Sequence, residues 1–180
     1  MSTPSADVSV RVAWADDAEA IAALQARAWA TSYAGLVPAA GELREADFAQ
    51  LWRDALTRPA DARHRALVAL DRNRVVGFAI TTPATDPDCD QVTDAELMEL
   101  TIDAGERGKG HGSRLLQAAV DTMVADGFTR AVTWLVAEDD ALRTFLTGAG
   151  WAPDTAHRTL DLDGTGTTLV TQVRLHTALS

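Results

Sequence analysis

One segment of the chain constrains the fold more than any other, because it passes from a strand through a glycine-rich loop into a helix. Glu96 to Ile102 has the apolar, β-favouring composition of a strand, and Ser113 to Ala125 has the apolar stripe of a helix. Between them, every second residue is glycine, at Gly108, Gly110 and Gly112. Such a strand–loop–helix unit is typical of α/β folds that bind a ligand at the start of a helix.

The loop has the composition of an anion site. Its glycines let successive backbone N–H groups point into one concavity and keep side chains away from a ligand. The first turn of the helix adds the positive end of its dipole. Arg107, Lys109 and Arg114 add full positive charges. The segment therefore predicts a site suited to a pyrophosphate.

Two common nucleotide motifs do not fit this loop. A dinucleotide fingerprint needs a third glycine three residues after a Gly-x-Gly pair. That position is Ser113 for the first Gly-x-Gly pair of the loop and Leu115 for the second. A Walker A loop needs a glycine at the position of Asp103. A nucleotide-phosphate binder using this loop is thus the least favoured of the function classes considered.

The periodicity of the remaining chain predicts a mixed α/β fold. The expected order is β-α-α-β-β-β-α-β-α-β-β, a mostly antiparallel central sheet flanked by helices, with one β-α-β crossover at its middle. We expect a disordered tail over residues 1–7 and a single domain over residues 8–176. The predicted strands are 8–12, 66–70, 75–82, 96–102, 131–136, 155–162 and 168–175. The predicted helices are one capped by Asp16 with Glu19 in a capping box, 43–56, 113–125, and one capped by Asp139 or Asp140.

On these residues the chain resembles the GNAT superfamily of N-acetyltransferases. The best match runs from Ala95 to Leu116, and Phe145 to Trp151 is similar to the helix and Gly-aromatic ending common in that family. Trp29-x-x-x-Tyr33 resembles the helix on the acceptor side of many members. The resemblance covers nearly the whole chain. It implies the GNAT fold and transfer of an acetyl group from acetyl-CoA to a primary amine of a small molecule or peptide.

The resemblance also implies where the cofactor lies. The backbone of Leu100, Thr101 and Ile102 would pair with the pantetheine arm like an added strand. A splay between the fourth and fifth strands, near Ile102 and Leu135, would admit the thioester. The pyrophosphate would be held by the loop and the start of the helix, that is by Arg107, Gly108, Lys109, Gly110, His111, Gly112, Ser113 and Arg114.

Proton transfer is assigned by the same resemblance to a carboxylate near the start of the fourth strand. Glu96 is the first candidate for the general base and Glu99 the second. On a regular strand the two would point to opposite faces, so both can face one cleft only if a bulge intervenes.

The general acid is left unassigned. Leu146 stands where the family often has a tyrosine that protonates the leaving thiolate. Water, Tyr33, Ser113 or another donor would have to serve, or the thiolate leaves unprotonated, as a thiol with a pKa near ~8.5 allows. A catalytically weak acyl-CoA-binding or sensing domain is therefore the alternative function.

Two further groups of residues are interpreted with alternatives. Trp29 and Tyr33 lie one helical turn apart, so they share a face that lines either an acceptor pocket or the core. Asp86, Asp88 and Asp90 resemble the start of a calcium loop but lack its glycine and its final glutamate. We interpret them as a mobile acidic loop that attracts a cationic acceptor.

Composition limits the partners and the compartment. The formal net charge of -10 disfavours nucleic acid, which needs a basic face. The chain has one cysteine and scattered histidines, which predicts that it has no metal site. The single cysteine also predicts a reducing compartment, and no signal-like or membrane-spanning segment is found, so we expect a cytoplasmic protein. The resemblance admits a homodimer, although no sequence feature specifies an interface.

Overall fold

The computed structural model describes residues 7–33 and 45–180. Residues 1–6 of the expected tail and the predicted start of the second helix at Leu43 lie outside this part. The strands are β1 Val8–Val12, β2 Arg65–Asp71, β3 Arg74–Pro83, β4 Asp94–Ile102, β5 Arg130–Val136, β6 Ala152–Asp161 and β7 Leu169–Ala178. The helices are α1 Ala18–Ser32, α2 Glu45–Thr57, α3 His111–Ala125 and α4 Asp140–Gly148.

All seven strands form one sheet, in the spatial order β1-β2-β3-β4-β5-β7-β6. Every neighbouring pair is antiparallel except β4 and β5, which are parallel and are joined through α3. The predicted element order, the mostly antiparallel sheet and the central crossover are confirmed. Placing the one parallel pair in the middle of the sheet puts the glycine loop at its carboxyl end.

Alternation along the strands divides the core between the two faces of the sheet. Leu67 and Ala69 of β2 pack on the face covered by α3 and α4, whereas Val68 and Leu70 pack on the face covered by α1 and α2. Each fully buried aliphatic side chain of this kind stabilises the fold by about 1.5–3 kcal/mol. The two helical layers are thus held independently against the same sheet.

The start of the first helix differs from the sequence prediction. Asp17, rather than Asp16, accepts a hydrogen bond from the backbone N–H of Trp14 at 2.7 Å, and α1 begins at Ala18 after a short 3₁₀ turn. The carboxylate of Asp17 also pairs with the guanidinium of Arg11 on β1, at 2.7 Å. A tertiary ion pair therefore decides which aspartate lies at the helix start, and the capping box through Glu19 was wrong.

Two other local predictions have clear outcomes. Asp139, one of the two predicted caps of α4, accepts a hydrogen bond from the backbone N–H of Leu142 at 2.9 Å. Strand β6 begins at Ala152 instead of Thr155, because a register shift interrupts it between Pro153 and His157 and Thr155 has a positive φ. None of the helices in the described residues has both the length and the apolar character to cross a bilayer.

Candidate active site

Strands β4 and β5 separate after three paired positions. The parallel ladder joins Asp94, Ala95 and Glu96 to β5 and ends at the pair of Glu96 with Val132. One residue further on, the hydroxyl of Thr133 donates to the carbonyl of Leu97 at 2.7 Å, in place of a backbone bond. Beyond that point the β5-facing edge of β4 pairs with no strand among the described residues. A sheet edge of this kind can accept an extended ligand as an added strand.

A bulge lies where the two strands separate. Ile80 of β3 pairs with Glu99 but the next residue, Thr81, pairs with Leu97, so Met98 is the extra residue of β4. The bulge changes the alternation of the strand. Glu96 and Glu99, which a regular strand would place on opposite faces, consequently share the face covered by α1 and α2. This bulge meets the condition, stated from the sequence, under which both glutamates can face one cleft.

The glycine loop follows directly from the open edge of β4. Gly110 is the residue before α3 and has a φ of 82°, in the left-handed region that favours glycine. The first helical hydrogen bond runs from the N–H of Arg114 to the carbonyl of Gly110, at 3.2 Å. The N–H groups of His111, Gly112 and Ser113 are thus free of helical partners and form the donor end of α3.

The charged side chains of the loop differ in how much of their charge is available to a ligand. Glu106 binds Arg74 at 2.5 Å and Lys109 at 2.8 Å, and these two cations lower the pKa of its carboxyl to about 2. Lys109 therefore already has an anionic partner. Arg107 and Arg114 instead bond to main-chain carbonyls, of Ile102 and Lys109, each at 3.4 Å. These two guanidinium groups keep a net charge for an anion.

Two residues of the loop act through packing. The side chain of His111 is buried, with 3% of the residue exposed, so only its main chain is available to a ligand at the loop. A Cβ at Gly112 would lie 3.5 Å from the ring of Phe145 and 3.7 Å from Ile102, which is ordinary van der Waals contact. The start of α3 therefore packs against both β4 and α4 at this residue.

Helix α4 places the aromatic ring of Phe145 beside this loop. Leu146, at the position of the family's tyrosine, is 1% exposed and belongs to the core on the α3 face. Its neighbour Phe145 lies against Gly112. Neither residue can donate a proton, which agrees with the general acid left unassigned from the sequence.

Glu99 is partly buried and accepts its hydrogen bonds from neutral donors. Thr101 Oγ1 lies at 3.1 Å from one carboxylate oxygen and Gln25 Nε2 at 3.2 Å from the other. Burial raises the pKa of Glu99 above its ordinary value, while hydrogen bonds from Thr101, Gln25 and Trp29 oppose the rise. A carboxyl with a raised pKa next to an open strand edge has the properties of a general base.

Glu96 has more strongly charged surroundings. Burial and the nearby Asp86 raise its pKa, and Arg158 and Arg174 oppose the rise. It stands at the last paired position of β4, where the strands are still joined. Glu96 therefore faces the arginines on β6 and β7, whereas Glu99 lies past the point of separation.

Trp29 and Tyr33 lie on the same side of the sheet as Glu99. Their rings meet edge to face with centroids 6.0 Å apart, and Trp29 makes a similar contact with Phe48 of α2. Trp29 is 36% exposed, and the pKa of Tyr33 is raised by burial and by the negative charge of Glu99. The structure thus brings both aromatic residues to the carboxylate, as an acceptor pocket requires.

Two aspartates of the acidic loop are paired with a buried arginine. Arg174, which is 4% exposed, binds Asp88 at 2.5 Å, Asp154 at 2.7 Å and Asp86 at 3.1 Å. It lowers the pKa of Asp88 to about 2. An arginine from a strand eighty-odd residues away thus anchors Asp86 and Asp88, and the attraction of a cationic acceptor by this loop stays a prediction.

Two residues of the site were not predicted from the sequence. Gln25 precedes Trp29 by four positions on α1, so the two share a helical face, and that spacing could have indicated Gln25. Trp52 of α2 donates from Nε1 to Gln25 Oε1 at 2.8 Å. Nothing in the local sequence links Trp52 to a residue so far away.

Comparison with known proteins places the chain in a family. Residues 19–150 match the sequence model described as the acetyltransferase (GNAT) family. No curated protein matches the sequence.

Solved structures share the fold at low identity. An N-acetyltransferase from Staphylococcus aureus Mu50 superposes with a TM-score of 0.72 at 21% identity, covering 96% of this chain and 99% of that one. A putative acetyltransferase from Salmonella typhimurium, solved with its cofactor acetyl-CoA, has a TM-score of 0.71 at 15% identity, covering 97% and 95%. A ribosomal-protein-alanine N-acetyltransferase from Brucella melitensis has a TM-score of 0.74 at 17% identity, covering 95% and 99%.

The family match covers more than half of the chain, and the separated strands and the glycine loop follow the pattern that the resemblance implied. The chain therefore belongs to the acetyltransferase (GNAT) family and is an acyltransferase.

Proposed function

We propose that this protein transfers the acetyl group of acetyl-CoA to a primary amine of a small molecule or peptide. One observation carries the proposal: β4 loses its neighbour after Glu96, and its open edge leads directly into the glycine loop. An unpaired strand edge followed by a row of free N–H groups matches a ligand with amide groups at one end and a pyrophosphate at the other. Coenzyme A is such a ligand.

Different residues of the cleft bind different parts of the cofactor in this proposal. The backbone groups of Leu100, Thr101 and Ile102 pair with the two amides of the pantetheine arm. The N–H groups from Gly108 to Gly112 and the side chain of Ser113 bind the pyrophosphate. Arg107 and Arg114 supply the charge, and Lys109 contributes less because Glu106 shares it.

Proton removal falls to Glu99 in this proposal. The acceptor must lose a proton before its nitrogen attacks the thioester carbonyl, and Glu99 lies past the separation of the strands with Trp29 and Tyr33 around it. The carbon–nitrogen bond forms as the carbon–sulfur bond breaks, and the electron pair leaves on sulfur. Glu96 is the alternative base. The reaction needs no metal.

The leaving thiolate requires no acid from α4. A free thiol of this kind has a pKa near ~8.5, so the thiolate is a stable leaving group at neutral pH. Solvent at the open edge can protonate it after departure. Tyr33, whose raised pKa keeps its hydroxyl protonated, is the alternative donor on this face.

An acyl-CoA-binding or sensing domain with little chemistry is the second candidate, and the burial of Leu146 favours it. A thermal-shift panel with acetyl-CoA, CoA, NAD and ATP separates the classes, since a ligand raises the melting temperature by mass action. We expect a shift with the two CoA compounds alone. Release of free thiol from acetyl-CoA with a panel of primary amines then distinguishes an enzyme from a sensor, and binding of acetyl-CoA without thiol release for any amine would favour the sensor.

The remaining expectations about partners stay proposals. We propose a cytoplasmic location and, because the net charge of -10 disfavours phosphate binding, no nucleic-acid partner. A homodimer is compatible with this proposal.

A further inference from the structure

A buried chain of polar side chains leads from α2 through α1 to Glu99. Trp52 Nε1 donates to Gln25 Oε1 at 2.8 Å, and Gln25 Nε2 donates to a carboxylate oxygen of Glu99 at 3.2 Å. Gln25 and Trp52 are each 8% exposed. Buried polar groups of this kind are costly to leave without partners, so both bonds persist in the folded protein.

The chemistry of the indole determines which end of the amide faces Glu99. A glutamine amide has a donor end and an acceptor end that can exchange by a simple flip, whereas an indole N–H can only donate. Trp52 therefore selects the oxygen of Gln25. The NH₂ group is left to point at the carboxylate, where it favours the ionised form.

Packing holds Trp52 in the position that this selection requires. Its ring lies edge to face against Phe78 of β3, with centroids 5.4 Å apart, inside the core on the α1 and α2 face. Gln25 lies in the same layer as Ile21 and Leu24 of α1. The apolar core thus sets the orientation of an amide that reaches the site.

We propose that Gln25, held in one amide orientation by Trp52, is a positioning residue that keeps the carboxylate of Glu99 ionised and in a single orientation. This inference rests on the proposed role of Glu99 as the base. Its physical basis is that a half-buried carboxylate bonded only to neutral donors depends on each of them to remain charged.

The test is an NMR titration of the Glu99 carboxyl carbon in the full chain labelled with ¹³C-glutamate. The Glu99 signal is assigned by its loss in Glu99→Gln. We expect Gln25→Met, which keeps the length of the side chain and removes the donor, to raise the titration midpoint by roughly one pH unit. Trp52→Phe should raise it by less, because the amide is then free to flip. Trp52→Phe should add nothing in the Gln25→Met background if Trp52 acts through Gln25.

Two matched variants separate positioning from packing. Thr101→Val removes a second hydrogen-bond donor of Glu99 and should also raise the midpoint, whereas Ile21→Val trims the same core layer and should leave it unchanged. An unchanged midpoint in a folded Gln25→Met protein would overturn the inference. If the titration midpoint of Glu99 is the same in Trp52→Phe as in Ile21→Val, Trp52 has no part in positioning Gln25.

The titration needs neither cofactor nor acceptor, so its outcome is independent of the proposed function. If Glu99→Gln turns over normally while the midpoints shift as expected, the base assignment fails and the hydrogen-bond chain stands. If Glu99→Gln is inactive and the midpoints do not move, the base stands and the positioning role fails.

Discussion

The two ends of the cleft along β4 are built in different ways. At the loop end, the backbone N–H groups of His111, Gly112 and Ser113 come from consecutive residues at the start of α3, and glycine allows the turn before them. At the other end, Glu99 is surrounded by side chains from α1 and α2 that lie far away in the sequence. The loop end is a local structure, whereas the Glu99 end exists only in the assembled fold.

This difference predicts how each end responds to substitution. A local backbone site should fail when one residue can no longer adopt its φ or when a side chain enters the concavity. A site made of converging side chains should change gradually, as single donors or charges are removed.

Gly110→Asp should reduce the affinity for CoA by more than about 100-fold. Gly110 has a φ of 82°, which strains any other residue, and its Cβ would lie 3.1 Å from Arg114. The new carboxylate would also repel a phosphate at the end of a helix dipole. Isothermal titration calorimetry with CoA measures the loss.

Gly105→Asp is the matched control for this variant. It makes the same change of charge in the preceding turn, where a Cβ meets nothing within 4 Å and φ is not positive. CoA should bind it with nearly the affinity of the unmodified protein. Equal affinities of Gly110→Asp and the unmodified protein would contradict the placement of the pyrophosphate.

Glu99→Gln should lower kcat by about 100-fold or more while CoA affinity stays nearly constant. Only the ionised carboxylate accepts a proton, and burial raises the pKa of Glu99. The rate of the unmodified protein should therefore fall as the pH drops through that raised pKa. Glu99→Gln should lose this acidic limb, as measured by a pH–rate profile with an amine identified in the panel.

Glu96→Gln makes the same change on the same face and is the control for the base. We expect a smaller loss of rate and an intact acidic limb. If the acidic limb of the pH–rate profile is lost only in Glu96→Gln, the base is Glu96. The base would then not be the carboxylate beside Trp29 and Tyr33.

The smallest predicted effect is a lower pKa of Tyr33 in Glu99→Gln. The chain has a single tyrosine, so the near-ultraviolet absorbance of tyrosinate reports on Tyr33 alone. The charge of Glu99 contributes to its raised pKa. Removing that charge should move the titration to lower pH, and Glu96→Gln should not. Identical curves for both variants would mean that Tyr33 and Glu99 do not share a pocket in solution.

The sequence predicted the elements whose signal is local. The strand–loop–helix unit, the element order and the cap at Asp139 follow from periodicity and glycine spacing within short windows. The predicted helix start at Asp16 was wrong, because Asp17, which pairs with Arg11 on β1, precedes α1 at Ala18. The pairing of Arg174 on β7 with Asp86 and Asp88 was not visible in the sequence, because more than eighty residues separate them.

The two glutamates show the same division within one strand. The resemblance to the family indicated both as candidate bases, because both lie on the strand where the family often places a glutamate. The face to which each points was not visible in the sequence, since a bulge at Met98 depends on how β3 and β4 pair.

The order of strands and helices and the strand–loop–helix unit of this acyltransferase were predictable from the sequence, because both depend on residues close together in the chain. The shared face of Glu96 and Glu99, and the contact of Gln25 and Trp52 with Glu99, depend on the packed fold. The reason is that side chains from separate elements meet only when the core packs, and no local pattern specifies that meeting.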